Sequence, residues 1–373
     1  MKGQWFGKFE GSSNSGTGII NIDEKVDTFK GTAYFLDNDK SLPKFLVHFE
    51  IEKPNNKQPM ILHCTKTSIH PLAPDSLTQV NWKDINKSYP DTNIPAAIDI
   101  SFEHLDTELK VTASTNIGTC VKGTLTTSLI ETPRQLQATE MSWSDFKHSI
   151  LKETRKAIYR GQNEPWKLQT SFHRRGRYDL ERYYSEDIPL LHRALSSKTQ
   201  YVFNLSTPQE KGAFLNLAQH HGYPTPLLDW SDSPYVAAFF AFRGISKEQA
   251  KQNPNKKARI YIFDSILWKE KLIQNSNTLT GQIHLSVIDL LAIENTRMVP
   301  QQATTTMTNI ADIESFIIWL EEITGKTYLK AIDIRWSERD SVVRELTLMG
   351  LTAGSLFPGI DGTCEELKEK MFE

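Results

Sequence analysis

The spacing of apolar residues changes once along this chain, near residue 130, and that change limits the fold more than any other feature. Before it, large apolar side chains alternate with small or polar ones. Trp5 to Gly11, Gly16 to Ile22, Phe29 to Leu36 and Phe45 to Ile51 follow this rule, as do Ile98 to Phe102, Leu109 to Ala113 and Gly123 to Ile130. A period of two, broken by clusters of Asn, Asp, Gly and Pro, is the pattern of half-buried strands. The spacing of the segments predicts an all-β sandwich or barrel over residues 1–130, with antiparallel pairing. No acid–base cluster stands out there, so that half reads as an interaction or scaffold module.

Residues 131–139, ETPRQLQAT, are polar and short and read as a linker. From 140 to 373 the apolar spacing is mostly helical. Ser142 is placed to cap a helix carrying Trp143, Phe146, Ile150 and Leu151. Further helices are predicted over 178–195, with a kink or break at Pro189, and over 208–219, 231–242, 313–322 and 339–349. Short apolar runs at 157–162 and 259–264 read as strands. The result is a multidomain chain, an all-β half followed by an α+β half. A length of 373 residues, more than one core comfortably serves, fits that division.

Several function classes recede on composition. A net charge of −2 gives no general affinity for nucleic acid. Three scattered cysteines, Cys64, Cys120 and Cys364, supply neither a disulfide framework nor paired thiolate ligands, and a reducing cytoplasm is the expected setting. No apolar run reaches 18 residues, so no membrane span is expected.

The densest polar chemistry is QHHGYPTPLLDW, residues 219–230. The adjacent His220 and His221 point in different directions in any regular element, so no metal site is expected. Gly222 suits the C-terminal turn of the preceding helix. Asp229 or Ser231 can either cap the next helix or border a site for an anion at its N-terminus, and both readings stay open. Arg160 ends a short strand and is followed by Gly161 and Gln162. It suits bidentate binding of phosphate or carboxylate, or a structural ion pair.

The ordered segments Tyr159 to Gln162, Ala218 to Thr225, Leu227 to Trp230, Pro234 to Ala241, Arg297 to Gln302 and Leu351 to Gly362 resemble the FRG domain family over residues 140–368. Tyr159 stands where the family's name has Phe. Pro226 and Ala303 depart from residues the family often carries, a basic residue and a glycine. The motif order is in turn similar to that of ADP-ribosyltransferases. That resemblance implies an NAD-using transferase or NAD-cleaving enzyme, acting as a toxin or in defence against phage, with a protein or nucleic-acid acceptor. It assigns Arg160 to the NAD diphosphate or ribose and Thr225, Asp229 and Ser231 to the nicotinamide pocket. Gln301 or Gln302 takes the position usually held by an acid, and Glu345 or Asp264 is the substitute carboxylate. Tyr159, Gly161, Gln162, Gln219, His220, His221 and Trp230 complete the expected ligand-binding set. The alternatives are a non-catalytic nucleotide- or phosphate-recognition module and a pure interaction protein.

Overall fold

The computed structural model describes residues 1–11, 14–54, 61–90, 92–129, 135–153 and 156–372. The strands of its first half are β1 (Gly3–Gly11), β2 (Ser15–Glu24), β3 (Thr28–Asp37), β4 (Lys44–Glu52), β5 (Leu62–His63), β6 (Lys66–Leu72), β7 (Ile98–Leu105), β8 (Glu108–Thr115) and β9 (Cys120–Thr126). They form one antiparallel sheet in the order β5-β7-β8-β9-β1-β2-β3-β4-β6. The strands at its two ends belong to one stretch of chain. Leu62 and His63 pair with β7, and Lys66 to Leu72 pair with β4. Cys64 N also donates to Ile100 O at 3.0 Å and Thr67 Oγ1 to Ile98 O at 2.7 Å. The sheet therefore curls round until its edges meet, which replaces the sandwich alternative with a barrel-like curl. The strand at 66–72 carries Lys66, Ser68 and Pro71 and gave no alternation to read.

Neighbouring residues on β1 to β4 face opposite sides, and both sides are buried. Trp5, Ile20, Ala33 and Val47 join the inner core. Phe6, Ile19, Tyr34 and Leu46 form an outer cluster with Leu72 and Ile283 of the second half. Hydrogen bonds fasten the same flank. The Gln4 side chain donates to Asn309 O at 2.7 Å and accepts from Ala311 N at 2.8 Å, and Tyr34 OH donates to Glu181 at 3.1 Å. Asp23, fully buried, accepts from Arg177 Nε and from the backbone N–H groups of Tyr178 and Asp179.

The second half holds β10 (Ala138–Glu140), β11 (Ile158–Gln162), β12 (Leu227–Ser231), β13 (Lys257–Phe263), β14 (Leu285–Ile288), β15 (Ala303–Thr308) and β16 (Leu329–Arg335), in the order β10-β16-β13-β11-β12-β15-β14. Only the β10–β16 pair is parallel. β10 begins within the stretch read as a linker, while residues 130–134 lie outside the described residues. One core layer packs the Pro234–Phe242 helix and Trp143 against the sheet. A second core joins Trp230, Trp268 and Phe316, and a third surrounds the Pro208–His220 helix. The result is a mixed region of helices on a largely antiparallel sheet.

Two helices differ from expectation. The stretch 178–195 is divided into Leu180–Arg182, a π-helical turn at Tyr183–Asp187 and a helix at Ile188–Leu195. Pro189 falls in the first turn of that last helix, directly after the π-helical turn, so the expected break lies beside it. The helix predicted from 231 begins at Pro234, and its cap is Ser233, which accepts from Val236 N at 3.3 Å. Neither Asp229 nor Ser231 caps it, because both belong to β12.

Candidate functional site

β11 and β12 are neighbours in the sheet but share one ladder pair, Tyr159 with Ser231. Each keeps its other neighbour, so that Arg160 pairs with Tyr261 on β13 and Asp229 with Thr305 on β15. The two strands diverge between these attachments. The gap opens into a cavity of about 290 Å³. Asn216, Gln219 and His220 line it from the end of the Pro208–His220 helix, and Ala237 and Phe240 from the Pro234–Phe242 helix. Asn295, Arg297, Met298 and Gln301 reach it from the segment before β15, and Phe357 closes the far side.

Arg160 fills part of the gap. Its Nη1 donates to Asp229 O at 2.5 Å, replacing a ladder bond that β11 no longer supplies. Its Nε is buried without an acceptor. Burial lowers the guanidinium pKa, the Asp229 charge opposes that, and Arg174 adds to the drop. The residue thus has a structural duty as well as a place in the pocket. Gly161 also borders the cavity, but the space where its side chain would stand is taken by a helix. A Cβ there would lie 1.8 Å from Ala237 O and 2.6 Å from Ala241 N, so the glycine lets the Pro234–Phe242 helix press onto β11. Close approach of a helix, rather than of a ligand, is what requires it.

Asp229 projects from β12 on the side of the pocket. Its side chain reaches solvent through the mouth, yet the protein around it strips away hydration. That raises its pKa above the usual carboxylate range, against the charge of Arg160, a hydrogen bond from Gln219 and the charge of Arg174. Gln219 is itself held, because its Oε1 accepts from Thr225 Oγ1, which leaves the amide NH2 for Asp229. Thr225 is fully buried beneath the site and does not border it. Trp230 alternates away from Asp229. Its indole stacks on Phe263 and donates to Thr306 Oγ1 at 3.0 Å, so the ring belongs to the core and only the edge of the residue meets the pocket.

His220 lines the cavity, and burial, then the charges of Arg297 and His221, push its pKa down to about 4. The imidazole is neutral at pH 7. His221 is exposed as the C-cap of the same helix, and Gly222 follows at φ 83°, the left-handed turn that lets the chain leave the helix. Ser231 Oγ donates to Gln301 O at 2.7 Å, and Gln301 Nε2 donates to Leu356 O at 3.0 Å. These bonds fix the segment 297–302 across the pocket.

Several expected residues stand elsewhere. Gln302 is exposed at φ 46°, with its carbonyl accepting from Asp232 N. Gln162 is buried at the end of β11 and lines no part of the cavity. Glu345 accepts from Trp143 Nε1 at 3.0 Å and from Lys147, tying two helices together away from the cavity. Asp264 caps the Ser265–Lys271 helix through Leu267 N.

Three polar residues in the cavity were absent from the expected set. Asn216 precedes Gln219 by three residues and His220 by four, so helical spacing alone puts all three on one face. Asn295, which donates to Asn216 Oδ1, and Arg297 lie on an irregular segment with no period to follow. Arg297 rests over the Phe357 ring, 5.0 Å from its centre. Among the described residues no group of His, Cys, Asp and Glu could hold a metal ion, and no helix is long and apolar enough to cross a membrane.

No curated protein matches the chain. Among solved structures it is similar to two redesigned beta barrels, mFAP0 and mFAP1, each bound to DFHBI. The first is 13% identical with a TM-score of 0.22, covering 33% of this chain and 95% of the other. The second is 12% identical with a TM-score of 0.22, covering 33% and 92%. β11, β12 and the two helices that flank the cavity fall within residues 155–250, the span that matches the FRG domain, and this chain carries an FRG domain there.

Proposed function

We propose that the cavity between β11 and β12 binds NAD and breaks its nicotinamide–ribose bond, passing ADP-ribose to water or to an acceptor on protein or nucleic acid. The supporting observation is one recess in which the Asp229 carboxylate shares a wall with Arg160 and faces Arg297, neutral His220 and several amides. Its size is at the lower end of ordinary small-molecule sites, enough for the reacting half of a dinucleotide.

In this reading the C1′–N bond breaks with its electron pair leaving on the ring nitrogen, so nicotinamide departs neutral. Positive charge then develops on the ribose. Asp229 stabilises it at short range where bulk water is partly excluded. The nucleophile attacks C1′ and its proton passes to solvent. Arg160 and Arg297 hold the phosphate oxygens. Asp229 takes the acidic role in place of Gln301, Gln302 and Glu345.

Recognition without turnover is the second reading, favoured by the neutral, tethered Gln301 where an acid would serve catalysis. One experiment separates the two: nicotinamide release by the full-length protein, with NAD binding followed by calorimetry. Asp229→Asn should cut release by about 10²–10³-fold while NAD still binds. Arg160→Lys should weaken binding by about 1–3 kcal/mol, because an ammonium cannot reproduce the planar contacts. NAD binding without release selects recognition. A wild type that neither binds NAD nor releases nicotinamide rejects both readings.

A further inference from the structure

We propose that the free end of the N-terminal barrel binds an uncharged, single-ring apolar molecule. A second cavity, of about 120 Å³, lies where the turns β1–β2, β3–β4 and β8–β9 meet the segment before β7. Phe9, Phe35, Phe45, Ile69, Ala113 and Val121 form its inner wall.

Counting Leu62–Leu72 as one stave, the curled sheet has eight. An interior of that width is either filled by side chains or left to hold one small ligand. Both solutions occur here. Deeper in, Phe49 and Phe102 fill the space at 4% and 0% exposure. Towards this mouth the wall shrinks to Ala113 and Val121, while Phe35 and Phe45 stay only partly buried. Large aromatic side chains left partly exposed beside an apolar recess supply the driving force for a ligand that covers them.

The chemistry of the recess selects the ligand. At the rim, Asn14 Nδ2 donates to Asp37 Oδ2 at 3.1 Å, and Asp37 Oδ1 accepts from Asp39 N at 2.9 Å. The rim carboxylate is thus already engaged, and the lining contains no Lys, Arg or His to hold an anion. The volume approaches that of an apolar cavity of about 150 Å³ known to admit benzene. Phe9 and Phe35 meet edge to face, with centroids 5.7 Å apart and planes at 69°, an arrangement a third ring can extend. Size and lining therefore point to one ring rather than a fused system or a charged group.

The test uses the full-length protein and 4-fluorotoluene observed by fluorine NMR, with 6-fluorohexan-1-ol as the straight-chain comparison. Saturable binding of the ring probe is expected, with intermolecular NOEs to the Ala113 and Ile69 methyl groups in the wild type. Ala113→Leu and Val121→Phe fill the recess and should weaken binding about tenfold or more. Asp229→Asn should leave it unchanged, which separates this site from the FRG-domain pocket. Absence of saturable binding, NOEs to other methyl groups, a preference for the straight-chain probe, or undiminished binding by both filled variants would each overturn the proposal. The NOE measurement needs no variant, so a misfolded variant does not leave the question open.

Discussion

At the scale of single residues, the second half depends on places where there is room for one atom arrangement only. Gly161 is the sharpest case, since any side chain there collides with the backbone of the Pro234–Phe242 helix. Backbone cannot swing aside as a flexible side chain can. Gly161→Ala is expected to cost about 2–3 kcal/mol or more and to lower the melting temperature, with the pocket distorted as the helix lifts. A thermal melt decides it, and an unchanged midpoint would contradict the packing described. The sequence marks this glycine as special but not why, because its partner is 76 residues away. Thr225 teaches the same lesson. Its place in the motif suggested a pocket residue, whereas it orients Gln219 from below.

Many elements were legible where one face of a helix or strand is apolar, although the Ile360–Phe372 helix was not among those predicted. Ser142 caps the helix it was expected to cap, accepting from Asp145 N at 3.1 Å. β15, with sequence ATTTMT, was not legible. Thr305, Thr306 and Thr308 are buried yet show no apolar alternation: Thr306 accepts from Trp230 and Thr308 donates to His284 O, while the Thr305 hydroxyl is buried without a partner. β16 and β14 were likewise too short or too mixed to separate from helix. Glu345 belongs to this scale, since it joins the Trp143–Lys152 and Arg339–Leu348 helices. Glu345→Gln keeps an acceptor for Trp143 and loses the ion pair with Lys147. A stability loss of about 0.5–1 kcal/mol is expected, with NAD binding and nicotinamide release unchanged. Release that falls with this variant would return Glu345 to the chemistry.

Across the whole molecule, the junction of barrel and FRG domain has its own pH dependence. Asp179 is buried there, and burial, then the charge of Asp23, raises its pKa from 3.8 to about 7, while Arg182 N–H and the Arg182 charge pull the other way and Glu181 adds to the rise. The folded chain therefore holds this proton more tightly than the unfolded chain. The stability it contributes is full below the ordinary carboxylate range and is lost as pH rises towards about 7. Asp179→Asn keeps the acceptor for Arg182 N and removes the charge. It should stabilise the protein at pH 8 by about 1–3 kcal/mol, with the gain vanishing towards pH 4, as melts across that range would show. The junction left a trace in the sequence. Trp5-Phe6, Ile19-Ile20 and Leu46-Val47 are apolar pairs that break strict alternation, the mark of strands covered on both faces. A fragment ending at Leu129 should show sheet structure and yet bind a hydrophobic dye or self-associate through Phe6, Ile19, Tyr34 and Leu46. A dye-silent monomer would argue against the junction.

That two-sided burial has a consequence for the order in which the protein is made. The barrel's strands are complete once Thr126 has left the ribosome, but part of the cover for its outer flank comes much later in the chain. Gln4 waits for Asn309 and Ala311, and the outer cluster waits for Ile283. At about 5–20 residues per second, synthesis from Thr126 to Ala311 takes roughly 10–40 s. Throughout that interval a finished barrel trails from the ribosome with an uncovered apolar side. Translation speed over residues 130–311 therefore sets how long the nascent chain offers that side to chaperones or to a neighbouring copy.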